Sequence, residues 1–248
     1  MVSGRTRLDQ FLVSRGFFTT RARARDAVIR GAVEVDGKGA SKPSQNIAEQ
    51  AVVTVRDEEA RYVSRAALKL RHALDHFQID AAVGLALDLG ASTGGFTQVL
   101  LERGAKRVIA LDVGRGQLAP PLRSDPRVFV IEGFNARDLK PAHLPAAPEL
   151  ITCDVSFISL KLALPPAIES AAPTASLIAL VKPQFEAGRA AVGGSGVIQD
   201  PSIHRKVCDD IAAWLSARPH WRVLGVTASP ILGGDGNREF LIAAEKSQ

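Results

Sequence analysis

Three charged residues stand where predicted strands meet loops, which are the places where an α/β sheet presents its ligands and reactive groups. Asp154 ends the run 150–154, Lys182 ends the run 178–182, and Glu239 directly precedes Phe240-Leu-Ile. Ionisable groups are costly to bury singly, so three of them at one sheet edge should share a site or face water. A shared site would supply acid–base chemistry, whereas the alternative at each position is a strand-end charge in solvent.

The stretch Leu85–Thr97 reads as a strand that ends at Asp88, followed by a glycine-rich turn and the start of an amphipathic helix. Such a unit presents backbone N–H groups and a helix N-terminus to a ligand. The turn lacks the Lys-Ser/Thr ending of a P-loop. A second carboxylate, Asp112, ends the next apolar run, where an acid can bind the ribose hydroxyls of an adenosine-type cofactor. This pattern fits both NAD and S-adenosylmethionine.

Composition sets limits on the class of protein. The chain has 248 residues, of which 46% are hydrophobic and 23% charged, so it can form a substantial core in one or two domains. No apolar run approaches the length of a membrane span, and the first residues lack a signal-peptide core. The two cysteines, Cys153 and Cys208, imply no disulfide framework. We therefore expect a cytoplasmic protein.

The excess positive charge is concentrated near the N-terminus. The net charge of the chain is +5, and residues 1–42 contain nine of the 31 Lys and Arg residues but only four of the 26 Asp and Glu residues. The remaining residues are therefore neutral overall. A concentrated basic excess favours a polyanion as partner, either nucleic acid or an anionic membrane surface.

Residues 5–56 read as a small module of two helices and a short sheet. Gly16 and Gly31 end the helices, Thr19 or Thr20 caps the second, and the Asp36-Gly37 turn suits a hairpin. The motifs Arg7-Leu-Asp, Ser14-Arg-Gly and Gly31-Ala-Val-Glu-Val-Asp-Gly resemble the RNA-binding fold named after ribosomal protein S4. We expect an RNA-binding domain at 1–56, a linker at 57–63 and a second domain at 64–248. The candidate RNA-binding residues of the first domain are Arg7, Arg21, Arg23, Arg25 and Arg30. The second domain adds Arg65 and Arg189.

Beyond a helix that begins near Tyr62, strands and helices alternate. The predicted strands are 83–89, 107–112, 128–132, 150–154, 176–182, 221–228 and 240–245, and the clearest helices are 96–103, 159–171 and 201–217. This order predicts an α/β domain with a seven-stranded, doubly wound, Rossmann-like sheet. Only residues 229–239 separate the last two strands, so they should pair antiparallel. That arrangement suits a methyltransferase better than a dehydrogenase. His72 and His76 lie one helical turn apart without an evident third ligand, so we expect no metal site.

Residues 62–248 resemble the ribose 2′-O-methyltransferases related to FtsJ, and the whole chain resembles the TlyA or haemolysin-A-like family of ribosomal RNA methyltransferases. The motifs that carry the resemblance are Tyr62-Val-Ser-Arg, Asp88-Leu-Gly-Ala-Ser-Thr-Gly-Gly-Phe-Thr, Asp154-Val-Ser-Phe-Ile-Ser, Lys182-Pro-Gln-Phe-Glu and Gly236-Asn-Arg-Glu-Phe. The family pattern implies a catalytic set of Lys69, Asp154, Lys182 and Glu239, with S-adenosylmethionine as cofactor. The candidate cofactor-binding residues are Asp88, Gly90, Ala91, Ser92, Thr93, Gly94, Gly95, Phe96, Asp112, Val113, Asn135 and Asp154.

The resemblance implies methyl transfer to a ribose 2′-hydroxyl of ribosomal RNA, with cytidine as the nucleoside and ribosomal subunits as partners. Methylation of transfer RNA or another RNA is an alternative, and so is the membrane-active haemolysin suggested by the older family name. The absence of a spanning segment argues against the haemolysin. One departure from the family pattern is Phe134, which stands where Thr is usual, beside the expected adenine pocket. Residues 188–196 read either as a substrate loop with Arg189 as a phosphate contact or as a plain flexible loop.

Overall fold

The computed structural model describes residues 4–18, 20–57, 61–188, 192, 196–233 and 236–247. The chain divides into two compact units, Met1–Tyr62 and Val63–Gln248. Each unit has a hydrophobic core of its own. Arg189 and most of the expected substrate loop lie outside the described residues.

The first unit combines two helices with two small sheets. Its elements are β1 (Arg5–Arg7), α1 (Leu8–Ser14), α2 (Arg21–Ile29), β2 (Val33–Val35), β3 (Lys38–Gly39), β4 (Asn46–Ala48) and β5 (Val53–Val55). Strand β1 pairs antiparallel with β4, and β2 lies between β3 and β5. The Thr20 hydroxyl accepts a hydrogen bond from the backbone N–H of Arg23 at 3.3 Å and so caps α2. Leu8, Leu12 and Val28 are fully buried in the core between the helices and the sheets.

The second unit is an α/β domain around a seven-stranded sheet. Its elements are α3 (Ala66–Phe77), β6 (Ala86–Leu89), α4 (Gly95–Glu102), β7 (Val108–Asp112), α5 (Pro120–Arg123), β8 (Val128–Glu132), β9 (Leu150–Cys153), α6 (Leu160–Ala163), α7 (Pro165–Ser170), β10 (Ala175–Val181), α8 (Pro183–Glu186), α9 (Pro201–Ser216), β11 (Trp221–Ala228) and β12 (Phe240–Lys246). Short 3₁₀ turns at Ala136–Asp138 and Pro141–His143 lie between β8 and β9.

The strands follow the order β11-β12-β10-β9-β6-β7-β8. The strands from β10 to β8 pair in parallel, and β12 pairs antiparallel with both of its neighbours, β10 and β11. The predicted seven-stranded sheet with an antiparallel final hairpin is therefore confirmed. Every residue of β6 and β9 is buried, as expected for central parallel strands that are covered on both faces.

The strand predicted at 83–89 begins only at Ala86, and two predicted helices also differ from the structure. The helix predicted at 159–171 is two helices, α6 and α7, because Pro165 and Pro166 lack a backbone N–H and fit only the first turn of a helix. The helix predicted to start at Tyr62 begins at Ala66 instead. The Ser64 hydroxyl accepts the Ala66 N–H at 3.1 Å, and the Val63 N–H donates to Gln98 Oε1 at 2.9 Å, so the preceding residues bond outside the helix.

Candidate active site

Two ion pairs occupy the edge of the sheet where the parallel strands end. Asp154 follows β9 and Lys182 follows β10, and Lys182 Nζ lies 2.7 Å from Asp154 Oδ1. The same ammonium donates a hydrogen bond to Ser156 Oγ at 2.7 Å. Asp154 Oδ1 is buried and lacks a hydrogen bond of good angle, so charge attraction to Lys182 is what compensates it.

The second pair joins Glu239 to Lys69. Phe240 opposes Val181 in the β10–β12 ladder, which places the preceding Glu239 at the sheet edge that Lys182 occupies. Lys69 lies on α3, and its Nζ donates to Glu239 Oε2 at 2.6 Å. Both side chains are buried, with 10% and 4% of their surface exposed. The four residues of the predicted catalytic set thus form two buried ion pairs around the ends of three adjacent strands.

A cavity of about 1170 Å³ opens beside the Lys182–Asp154 pair. Six of the residues predicted to bind a cofactor line it: Gly90, Ser92, Asp112, Val113, Asn135 and Asp154. The other six lie outside its wall: Asp88, Ala91, Thr93, Gly94, Gly95 and Phe96. Asp154 belongs both to the wall and to an ion pair, so it connects the cavity to Lys182.

Glycines shape the turn after β6. Gly90 has φ +79°, and a Cβ there would lie 2.7 Å from the carbonyl oxygen of Asp154. Gly94 has φ +99° at the N-cap of α4, where a Cβ would clash with the side chains of Leu118 and Leu122. The turn therefore needs glycine for both its backbone angles and its close packing. Gly94 supports the loop through this packing rather than from the cavity wall.

Asp112 fixes the far side of the same turn. Its Oδ2 accepts the Ser92 N–H at 2.8 Å, and its Oδ1 accepts the Gly114 N–H at 2.6 Å. Because Asp112 also lines the cavity, its carboxylate holds two loops together and faces the space where a ligand would lie. This arrangement keeps the acid after the second strand available to the hydroxyls of a ribose.

Asp88 lies in the core under the loop. It is completely buried, with Oδ2 accepting from the Thr97 hydroxyl at 2.7 Å and Oδ1 from the Thr152 hydroxyl at 3.0 Å. Burial raises the pKa of Asp88 to about 7, and the nearby Asp154 adds to the rise, whereas the two hydroxyl hydrogen bonds oppose it. The sequence prediction placed Asp88 among the cofactor contacts, but the structure makes it an internal support that joins β6 to α4 and β9.

The sequence prediction missed several residues of the cavity wall. Phe157 is 89% exposed, has φ +65°, and lies with its ring 5.0 Å from that of Phe185. Glu186 positions this segment, because its carboxylate accepts the Ser159 hydroxyl at 2.5 Å and the Leu160 N–H at 2.8 Å. The sequence signal for Phe157 is the motif Asp154-Val-Ser-Phe-Ile-Ser, which directly follows the end of β9. Other wall residues that the prediction lacks are Gln117, Arg137, Ile158, Leu162 and Gln184, whereas Phe134, expected beside the adenine pocket, does line the cavity.

Most of the candidate RNA-binding arginines of the first unit have partners within that unit. Arg7 and Arg21 both bond to the buried Asp9, at 3.0 and 2.9 Å, and they hold the pKa of Asp9 well below its usual range. Arg23 donates to the carbonyl oxygen of Tyr62, and Arg30 pairs with Asp57 at 2.7 Å. Arg25 is exposed. Arg65, in the second unit, lies at the N-cap of α3.

The described part of the chain contains neither a metal-binding cluster nor a membrane-spanning helix. In that part no three His, Cys, Asp or Glu residues are grouped so that they could hold a metal ion. His72 and His76 stack with their ring centroids 5.7 Å apart. Within the same residues, no helix is both long and apolar enough to cross a bilayer.

The strand order, the glycine turn after β6 and the acid after β7 together define the α/β fold of S-adenosylmethionine-dependent methyltransferases. A solved example is the O-methyltransferase TomG from Streptomyces achromogenes in complex with SAM, which is 17% identical, has a TM-score of 0.52, and matches over 77% of this chain and 84% of its own. At this identity the likeness concerns the fold alone.

Sequence comparison gives the family. The model of the FtsJ-like methyltransferases matches residues 62–246, and that of the S4 domain matches residues 6–53. The chain is 44% identical over 239 residues to the 16S/23S rRNA (cytidine-2′-O)-methyltransferase TlyA of Mycobacterium tuberculosis, covering 96% of this chain and 89% of that protein. It is 40% identical, with a TM-score of 0.75, to a solved structure from Streptococcus thermophilus provisionally described as a hemolysin, covering 100% of this chain and 90% of the other. The chain therefore belongs to the FtsJ-like methyltransferase family and, with its S4 domain, to the TlyA-like relatives.

Proposed function

We propose that this protein transfers a methyl group from S-adenosylmethionine to the 2′-hydroxyl of a cytidine in ribosomal RNA. The observation that carries the proposal is the pair of buried ammonium–carboxylate contacts, Lys182–Asp154 and Lys69–Glu239, at the cavity edge of a methyltransferase sheet. The cytidine and the ribosomal substrate rest on the similarity to TlyA. A ribosomal substrate also implies action in the cytoplasm.

The cavity wall offers both the polar and the apolar groups that S-adenosylmethionine needs. Asp112 offers a carboxylate for ribose hydroxyls, and Asn135 lies close by. Val113, Phe134 and Leu162 supply apolar surface for an adenine ring. When bound, S-adenosylmethionine supplies an activated methyl group, and the protein supplies binding, orientation and electrostatics.

Lys182 is the residue that we assign to the reacting hydroxyl. An ammonium has three donors, and two of the Lys182 contacts are with Asp154 and Ser156, so one N–H remains for the ribose oxygen. Through that N–H the ammonium stabilises the alkoxide that develops on the ribose oxygen. If Lys182 is the base instead, it must first be neutral, and its amine then takes the hydroxyl proton as the methyl group is transferred. Asp154 fixes the amine, and the Lys69–Glu239 pair adds a second cation at the same edge of the sheet without adding net charge.

The exposed Phe157 ring is suited to hold the target nucleotide. Sequence-specific RNA recognition uses unstacked bases that stack on aromatic side chains. Phe157 lines the cavity and is supported by Phe185, so a base lying on it would bring its ribose toward Asp154 and Lys182. The basic excess of the first unit would hold the surrounding RNA through its phosphates.

The direct test is to locate the methyl group that the enzyme transfers. The purified protein would be incubated with isotopically labelled S-adenosylmethionine and with intact ribosomal subunits, assembled ribosomes, free ribosomal RNA or transfer RNA. Digestion and mass spectrometry should then find labelled 2′-O-methylcytidine from ribosomal RNA. Label on a base, or only on transfer RNA, would overturn the proposal.

A further inference from the structure

A second cavity lies beyond the ion pairs at the same edge of the sheet. Its volume is about 520 Å³, within the roughly 300–1,000 Å³ range of small-ligand sites. It is bounded by the first half of α9 on one side, and by the end of β11 and the start of β12 on the other. The Ala228–Phe240 pair of the β11–β12 ladder forms part of its wall.

The chemistry of this cavity is divided between an apolar floor and a cationic rim. Cys208 and Phe240 contribute apolar surface, and burial raises the pKa of the Cys208 thiol to about 11, so the thiol stays neutral. Arg205 and Arg238 are exposed, and Gln199 and Thr227 add neutral polar groups. Among the described residues that line it, none is acidic.

Arg238 places this cavity next to the sheet edge that carries the two ion pairs. Arg238 directly precedes Glu239, and successive side chains of an extended chain point to opposite sides. Glu239 is buried against Lys69, whereas Arg238 is exposed at the second cavity. Two strand spacings, roughly 10 Å, separate the end of β10, which carries Lys182, from β11.

We infer that this cavity binds a nucleotide of the substrate RNA strand next to the target nucleotide, with its phosphate at Arg205 and Arg238 and its sugar or base on the apolar floor. Two arginines at one rim, together with neutral polar groups, match a phosphodiester, and the apolar floor matches the face of a base or sugar. The inference rests on the proposed function, since it places the strand that presents the reacting ribose. It adds an RNA contact in the second unit to those of the S4 domain.

Binding as a function of salt concentration gives the sharpest test. We would compare the wild-type chain with the double variant Arg205→Gln/Arg238→Gln and with a control, Lys106→Gln/Lys206→Gln, that loses the same charge. Lys206 is the exposed neighbour of Arg205 on α9 but does not line the cavity, and Lys106 precedes β7 at the opposite edge of the sheet. Thermal unfolding would verify that all three proteins are folded.

For the arginine variant, the slope of log affinity against log salt with isolated ribosomal subunits should shrink by roughly 0.7 per arginine, and the RNA KM should rise about tenfold with kcat nearly unchanged. The control should keep the wild-type slope. Equal effects in both variants, or a fall in kcat at unchanged RNA affinity, would overturn the inference. Tight binding of free cytidine monophosphate with unchanged RNA affinity would overturn it in favour of a mononucleotide site.

Binding and chemistry are read separately in this design. The salt slope is measured without cofactor, so it reports on the second cavity even if the wild-type enzyme fails to methylate a ribose. If the wild-type enzyme methylates ribose and the arginine variant binds RNA with the wild-type salt slope, the inference about the second cavity is refuted and the proposed function still holds.

Discussion

Lys182 and Asp154 meet across two adjacent parallel strands, with Nζ 2.7 Å from Oδ1. One ammonium thus joins the end of β10 to the end of β9, and Asp154 carries the contact into the wall of the large cavity. Because the pair is largely buried, neither charge can be removed without leaving the other uncompensated.

Replacing Lys182 by Ala should lower kcat by about 10² to 10⁴-fold, the usual contribution of a positioned acid–base group. The affinity for S-adenosylmethionine, measured by calorimetry, should stay within about threefold, since Lys182 lies outside the wall of the large cavity. Lys206→Ala is the matched control and should retain full activity. Turnover by the Lys182 variant at the wild-type rate would refute its assigned role.

Substitutions of Lys69 and Glu239 should have non-additive effects on the free energy of unfolding. Lys69→Met or Glu239→Gln alone should destabilise the second unit by roughly 3–5 kcal/mol, because each leaves a buried charge without its partner. The double variant should recover much of this loss. Trp214 and Trp221 both belong to the second unit, so their fluorescence during urea unfolding reports on it. Additive losses in the double variant would contradict the buried pair.

Asp88 should make stability depend on pH in an unusual direction. Its pKa of about 7 in the folded state exceeds the ordinary value near 4, so the folded chain holds the extra proton and loses stability as the pH rises between these values. Asp88→Asn removes this loss. Its stability relative to wild type should therefore grow by up to about 1.4 kcal/mol per pH unit from pH 5 to 7 and stay level above pH 7. Urea unfolding at each pH would measure the free energies. A constant difference in the free energy of unfolding between the two proteins from pH 5 to 7 would contradict a protonated Asp88.

Phe157 should affect the RNA and not the cofactor. Phe157→Ala should raise the RNA KM or lower kcat by about 10-fold or more, since a base–aromatic stack contributes roughly 1–3 kcal/mol. Cofactor affinity should change little. The control is Phe129→Ala on β8, which removes an exposed ring that does not line the cavity. A similar small effect from both variants would show that Phe157 does not hold the base.

Arg25 and Arg21 should differ although they lie one helical turn apart. Arg25→Gln should weaken binding to ribosomal subunits and reduce the salt slope by roughly 0.7 without destabilising the first unit. Arg21→Gln should in addition lower thermal stability, because Arg21 compensates the buried Asp9. Binding titrations at several salt concentrations, with thermal scans of both variants, would test this. Equal stability of the two variants would contradict the structural role of Arg21.

Local patterns predicted the sheet well. Short apolar runs indicate the central strands β6, β9 and β10, because these strands are buried on both faces, whereas β8 and β11 are only partly buried. Asp154, Lys182 and Glu239 could be grouped in advance, since strand ends on one side of a sheet meet. That grouping did not reveal that they form two separate pairs, which depends on how α3 packs.

The roles of individual loop residues were harder to predict. Asp88 and Asp112 look equivalent in sequence, as acids at the ends of neighbouring strands, yet one is internal and the other faces the cavity. The difference comes from Thr97 and Thr152, which turn the Asp88 carboxylate into the core. Likewise, the sequence predicts Arg7 and Arg21 as RNA contacts, yet both bond to the buried Asp9. Asp9 is close to Arg7 along the chain, but it meets Arg21 only because α1 packs on α2.

The insertion of β12 between β10 and β11 has a consequence for biosynthesis. Glu239 directly precedes the strand that enters this slot, so during translation Lys69 lacks this carboxylate partner until β12 has been synthesised. Domains generally fold as units during translation. The Lys69–Glu239 pair therefore forms only after synthesis through β12, and a shorter polypeptide would lack the contact that ties Lys69 of α3 to this segment.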